Sequence, residues 1–110
     1  MKKYIELKQN NAATHLKVET YYNLGGVNYF TYKQEARGYY ISVSPVTRER
    51  RNGCTMESYT AFTGTKQLIK AVTRKSAKAE AAAEAAAAEM EAALIRYVCE
   101  ENGLEVLQNE

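Results

Sequence analysis

The sequence has no aspartate and no tryptophan, and only one histidine, one proline and two cysteines among 110 residues. All thirteen acidic side chains are therefore glutamates. A Ser-His-acid arrangement would need one of them as its third member, and His15 stands at the mouth of an expected strand with no nucleophile close in sequence. A structural zinc site takes four Cys or His ligands at close spacing, and positions 15, 54 and 99 are too scattered to supply one. Cys54 and Cys99 show no CxxC pattern and are expected as reduced thiols. Neither GxxxxGK[ST] nor GxGxxG occurs, which excludes a glycine-rich phosphate loop, and Gly25-Gly26 reads as a turn. No apolar run approaches the roughly 20 residues of a membrane span. Met1-Lys2-Lys3-Tyr4-Ile5-Glu6 has no apolar core behind its lysines, so a cytoplasmic protein without a secretory signal is expected. The reading is of a non-enzymatic protein with no catalytic residue, no metal and no cofactor. A small enzyme acting through His15 or Cys54 is kept as a third possibility. It requires a cleft that sets His15 beside Cys54 or a glutamate.

What is present is divided by charge. Residues 1–78 carry nine Lys and five Arg against five Glu, a balance of +9, whereas residues 79–110 carry one Arg against eight Glu, a balance of −7. Composition changes at the same place. Eleven of the seventeen residues from Ala77 to Ala93 are alanine, and eight of the nine tyrosines precede position 60.

The first half reads as strands. Leu16, Val18, Thr20 and Tyr22 alternate onto one face, and Gly25-Gly26 can supply the positive φ angles of a tight turn. Val27–Lys33 is expected as the return strand, being rich in aromatic and β-branched residues. A loop at Gln34–Gly38 leads to the strand Tyr39–Val46. There Tyr39, Ile41 and Val43 share one face, and Tyr40, Ser42 and Ser44 share the other. Pro45 marks a strand end or an edge, since it cannot donate to a ladder. Asn52-Gly53 is the strongest hairpin signal and predicts a partner strand from Cys54 to Thr63. Lys3–Leu7 could add a fifth strand, and Asn10–Ala13 a loop or one helical turn.

The second half reads as helix. Thr65 can cap a short helix through Leu68, Ile69 and Val72, and Ser76 can cap a second. That second helix runs through the alanines to Asn102-Gly103, with Leu104 folding back on its last turn. Ala83, Ala87, Met90, Leu94 and Val98 form its apolar stripe. The large residues near its end are expected on the sheet, with the alanines beyond the sheet or against a second copy. The expected fold class is α+β: an antiparallel four- to five-stranded meander, then a short helix and a long Ala-rich C-terminal helix. Residues 1–110 form one domain, with the meander over 1–64 and the helical half over 65–110.

Two basic groups point to a polyanion. Arg48, Arg50 and Arg51 flank the Asn52-Gly53 turn, while Lys66, Lys70 and Arg74 crowd the start of the helical half, where Lys66 and Lys70 would share a helix face. Tyr21 and Tyr40 fall on the sheet face opposite the apolar residues, where rings can stack unpaired bases. The order of four strands and a long helix is similar to that of Whirly-type and related single-strand binders, which pair through their helices. This resemblance covers element order alone and implies a single-stranded ligand and a homodimer. The leading reading is single-stranded nucleic-acid binding through Arg48, Arg50, Arg51, Lys66, Lys70 and Arg74, with Tyr21 and Tyr40 stacking. The alternative is an adaptor or inhibitor that meets a basic protein partner through Glu80, Glu84 and Glu91 on the acidic helix.

Overall fold

The computed structural model describes residues 1–8 and 12–107. Asn10 and Asn11, read as loop or helical turn, lie outside the described residues. In chain order the elements are β1 (Lys2–Glu6), β2 (His15–Asn23), β3 (Gly26–Asn28), β4 (Lys33–Glu35), β5 (Gly38–Arg51), β6 (Cys54–Tyr59), β7 (Thr65–Ala71) and α1 (Ala77–Asn102). Antiparallel sheet followed by one C-terminal helix is the α+β arrangement that the sequence predicts.

Strand β5 is the longest, at fourteen residues, and its sequence explains its position. Ile41 and Val43 point to one face and are fully buried, together with Leu16 and Val18 of β2 and Ala87 and Val98 of α1. Each such large aliphatic side chain contributes about 1.5–3 kcal/mol on burial. One edge of β5 pairs with β2, from His15 opposite Val46 to Asn23 opposite Gly38. β1 lies outside β2 in the same sheet, as the fifth strand expected at Lys3–Leu7.

The other edge of β5 differs from the expected pattern. After the two-residue turn at Asn52 (φ 51°) and Gly53 (φ 79°), β6 pairs back along Arg51–Val46. The partner strand then breaks at Thr60 and resumes as β7 along Val43–Gly38. Thr65–Ala71, read as a short helix, is thus the second half of a return strand. The spacing of Leu68, Ile69 and Val72 suited a helix, but the open edge of β5 offers a ladder that local preference cannot outweigh. Strand content consequently extends past the boundary at residue 64, and the helical half shrinks to α1 and the short tail after it.

The same break explains Pro45, which is neither at a strand end nor on an edge. It sits inside β5 opposite Leu16. Its carbonyl accepts from the Thr60 hydroxyl at 3.1 Å, so its missing donor faces the gap between β6 and β7. Asn102, the last residue of α1, closes that gap. It accepts from the Thr63 N–H at 2.9 Å and donates to the Thr63 carbonyl at 2.7 Å and to its own helix at Val98 O.

A second departure concerns Val27–Lys33, which is not a return strand beside β2. The β2 edge already belongs to β5, and the segment forms a separate β3–β4 hairpin instead. Asn28 decides this. Its Oδ1 accepts from Phe30 N at 2.9 Å and Thr31 N at 3.3 Å, and its carbonyl accepts from Tyr32 N at 2.7 Å. The expected Gln34–Gly38 loop is accordingly part strand.

Ser76 caps α1 as expected, accepting from Ala79 N at 3.0 Å. Gly103 ends it in the left-handed conformation, and Leu104 N returns to Cys99 O at 2.9 Å. Buried positions on α1 are Ala83, Ala87 and Val98, with Met90 and Leu94 packed against the core. The alanine stripe therefore sits on this chain's own sheet, where the expectation placed it beyond the sheet or against a second copy. Beyond the helix, Leu107 N and Lys8 N tie the chain back to the end of β1, donating to Glu6 O and Glu105 O at 2.9 and 2.7 Å.

Two substitutions test this account. A Cβ at Gly38 would lie 2.2 Å from the Lys70 carbonyl oxygen and 2.8 Å from Ala71 Cα. Gly38→Ala is expected to cost about 1–3 kcal/mol in urea unfolding. Asn102→Ala strands Thr63 and is expected to cost a similar amount, about 1–3 kcal/mol, read as a lowered Tm.

Candidate functional site

The face of the sheet turned away from α1 carries His15, Lys17, Glu19 and Tyr21 from β2 and Tyr40, Ser42 and Ser44 from β5, following the alternation read from the sequence. Tyr21 and Tyr40 are register partners, and their rings stack at 5.9 Å and 17°. Tyr40 is only 6% exposed. Its hydroxyl donates to the Ala36 carbonyl at 2.7 Å, and the Lys66 ammonium lies 5.5 Å from its ring centroid. The base of the β3–β4 hairpin therefore covers Tyr40, which offers no free face to a base. Tyr21 is half-buried. Burial, reinforced by the nearby Glu35 carboxylate, pushes its phenol up to about 12.

The cations divide into engaged and free. Arg48 lies over the Tyr4 ring at 3.8 Å, with its Nε 3.6 Å from Glu57. Glu57 also accepts from the Tyr4 hydroxyl at 2.5 Å and from Lys17 at 3.1 Å. The Tyr4 hydrogen bond and the two cations hold its carboxyl below the usual range. Arg51 pairs with Glu49 at 2.9 Å, and Lys66 pairs with Glu35 at 2.5 Å. Arg50 reaches only the Gly53 carbonyl, at 3.4 Å. Among the described residues, Arg50, Lys70 and Arg74 have no ionic partner. The two basic groups are not brought together. Lys70 faces Tyr39 near the start of β5 and Arg50 stands near its end, about 35 Å away at 3.3 Å per residue. Lys66 and Lys70 sit on a strand with an irregularity between them, so the shared helix face does not exist.

The feature that sequence reasoning missed is the tip of the β3–β4 hairpin. Tyr29, Phe30 and Tyr32 are 83%, 97% and 83% exposed. Tyr32 has a φ of 58°, a strained conformation for a bulky residue and one concentrated at binding loops. The base of the hairpin is fixed. Glu35 accepts from Lys66, from Asn23 at 3.0 Å and from Asn28 at 3.1 Å. The Arg37 side chain donates to Leu24 O at 2.9 Å and Thr73 O at 3.4 Å, and Val72 N donates to Arg37 O at 3.1 Å. Three free aromatic rings are thus mounted at the end of the sheet that also bears Lys33, Lys70 and Arg74. The available signal was Asn28 followed by Tyr29-Phe30-Thr31-Tyr32, a side-chain turn that would expel the rings from any ladder.

Of the three glutamates proposed to meet a basic partner, two face their own chain. Glu84 binds the Met1 ammonium at 2.8 Å and accepts from the Thr20 hydroxyl, while Glu91 pairs with Lys3. His15 contacts the Thr14 hydroxyl at 2.7 Å and the edge of Tyr4. Cys54 lies at the β5–β6 turn, about 16 Å further along the sheet by strand rise. Both cysteines are free thiols. Among the described residues no group of His, Cys or Glu has metal-site geometry, and no helix is long and apolar enough to cross a membrane. Comparison with protein-family models, with curated proteins and with solved structures finds no match, so the site is read from its chemistry alone.

The hairpin latch has a pH signature. The Lys66 hydrogen bond, then that of Asn28, lowers the Glu35 carboxyl below its ordinary value. A depressed carboxylate stabilises above the unfolded value, near 4.3, and loses that contribution as pH falls through the folded value. Amide protection factors at Gly26–Glu35, taken relative to the intrinsic exchange rate at each pH, are expected to fall on acidification through that window, and Glu35→Gln is expected to show the lowered protection already at neutral pH.

Proposed function

We propose that the protein binds single-stranded nucleic acid at the end of the sheet where the β3–β4 hairpin meets β7. The observation that carries this reading is the exposed trio Tyr29, Phe30 and Tyr32 on a hairpin rooted at the end of the sheet where Lys33, Lys70 and Arg74 have no ionic partner among the described residues. Aromatic faces stack on bases that are not already stacked and paired, and cations beside them track the backbone. This chemistry favours a single strand over a duplex. The outward face of α1 argues the same way, because Glu89 and Glu100 are exposed and would repel the phosphates lining a major groove.

Relative to the sequence reading, the contacts move. Lys70 and Arg74 remain as phosphate ligands. Lys66 fixes the hairpin through Glu35, and Tyr40 with Tyr21 forms the seat beneath it. Arg48 and Arg51 are engaged with glutamates, and Arg50 is too distant to act with the hairpin.

Fluorescence anisotropy with a labelled oligo-dT tests the reading. With three phosphates neutralised, log K should fall with log salt at a slope of about −2. Phe30→Ala should weaken binding by about 1–3 kcal/mol, roughly 5- to 150-fold. The Lys70→Gln, Arg74→Gln pair should cut the slope by more than half. Absence of binding at low salt, or equal affinity in the Phe30→Ala protein, rejects the assignment.

A further inference from the structure

A cavity of about 620 Å³ lies between the base of the β3–β4 hairpin, the chain that leaves β7 and the start of α1. Its size lies within the range of small-molecule sites. Arg37 and Arg74 line it together with Thr73 and Ser76, and no carboxylate is among the described residues of its wall. Neither arginine has an ionic partner among the described residues.

Arg37 is held in place without being neutralised. Its Nε donates to the Leu24 carbonyl at 2.9 Å and its Nη1 to the Thr73 carbonyl at 3.4 Å. These bonds use two of the five guanidinium donors and fix the plane of the group. Its own carbonyl accepts from Val72 N at 3.1 Å, so the backbone is pinned as well. The Thr73 carbonyl belongs to the peptide that continues into Arg74, which sets the Arg37 guanidinium one peptide unit from the second arginine. Ser76 accepts from Ala79 N at 3.0 Å, which leaves its hydroxyl proton free to donate.

A guanidinium anchored only by carbonyl oxygens keeps its full charge. Two arginines on one cavity wall, with hydroxyls beside them and no acid, repel each other and any cation. They match an anion that carries more than one charge and several acceptor oxygens. Planar guanidinium forks take phosphate oxygens in pairs. A phosphodiester within a strand carries a single charge, whereas a phosphate monoester carries about −1.5 to −2 and three strong acceptor oxygens. We propose that this cavity takes a terminal phosphate of the bound strand, held by Arg37 and Arg74, so that the ligand is a single strand with a phosphorylated end. The inference rests on the nucleic-acid reading and adds to it the capture of one strand end.

The test sets hydroxyl-ended, 5′-phosphorylated and 3′-phosphorylated oligo-dT of equal length in competition with a labelled oligo-dT on the intact protein. One of the phosphorylated forms should bind about tenfold more tightly than the hydroxyl-ended form. Arg74→Gln should bring that ratio close to one. Lys75→Gln removes the same charge one residue along, outside the cavity, and should leave most of the ratio in place. At fixed ionic strength, millimolar inorganic phosphate should remove the extra affinity of the phosphorylated form and spare the binding that both forms share. Equal affinity of all three oligomers overturns the proposal, and so does a ratio that survives Arg74→Gln or falls as far in Lys75→Gln. The hairpin site is read separately, because hydroxyl-ended oligo-dT binds there and loses affinity in Phe30→Ala whether or not an end is captured. Absence of binding by every oligomer rejects both.

Discussion

The molecule depends on the hydrogen-bonding demand of both edges of β5. A fourteen-residue strand buried in the middle of a sheet must pair its backbone on each side. β2 satisfies nine positions on one edge, and β6 and β7 divide the other. This demand explains why TKQLIKA is a strand despite its helical spacing. It also explains why the segment between β2 and β5 is expelled as a hairpin. With β2 and β5 directly paired, nothing in Leu24–Arg37 can enter the main sheet, and its aromatic residues are left at a free tip.

Much of this was legible in the residues. The alternation of Tyr39, Ile41 and Val43 against Tyr40, Ser42 and Ser44 holds along the strand. Asn52-Gly53 makes the turn it predicts, and Ser76, Gly103 and Leu104 cap the helix as read. These signals are local, because each depends on a backbone preference or on a period. What was not legible is set by pairing between distant segments. Pro45 is tolerated only because the opposite edge is interrupted where it lies. Tyr40 was placed on the correct face, but the Tyr21 ring and the Lys66 ammonium that lie over it come from parts of the chain whose approach no spacing records.

The charge division between the two halves has a partly internal purpose. The Met1 ammonium meets Glu84, Lys3 meets Glu91 and Lys8 meets Glu105, so cations of the sheet layer are matched to anions of the helical half. Pairs with this much exposure are each worth about 0–1 kcal/mol, but they orient α1 on the sheet. Among the described residues, the cations without an ionic partner include Lys33, Lys70 and Arg74 at the hairpin end, and others such as Arg50 elsewhere on the sheet. Part of the remaining positive charge therefore lies at the end of the sheet from which the aromatic hairpin projects.

The break between β6 and β7 has one more effect. The outer edge of the sheet would otherwise be a run of unpaired backbone groups, open to any extended segment of another molecule. Division into pieces of six and seven residues, the irregularity near Tyr39 and Tyr40, and the lysines at 66 and 70 deny an invading strand a continuous flat template. The irregular geometry that accommodates a proline inside the sheet thus also guards the protein against growing into a fibre.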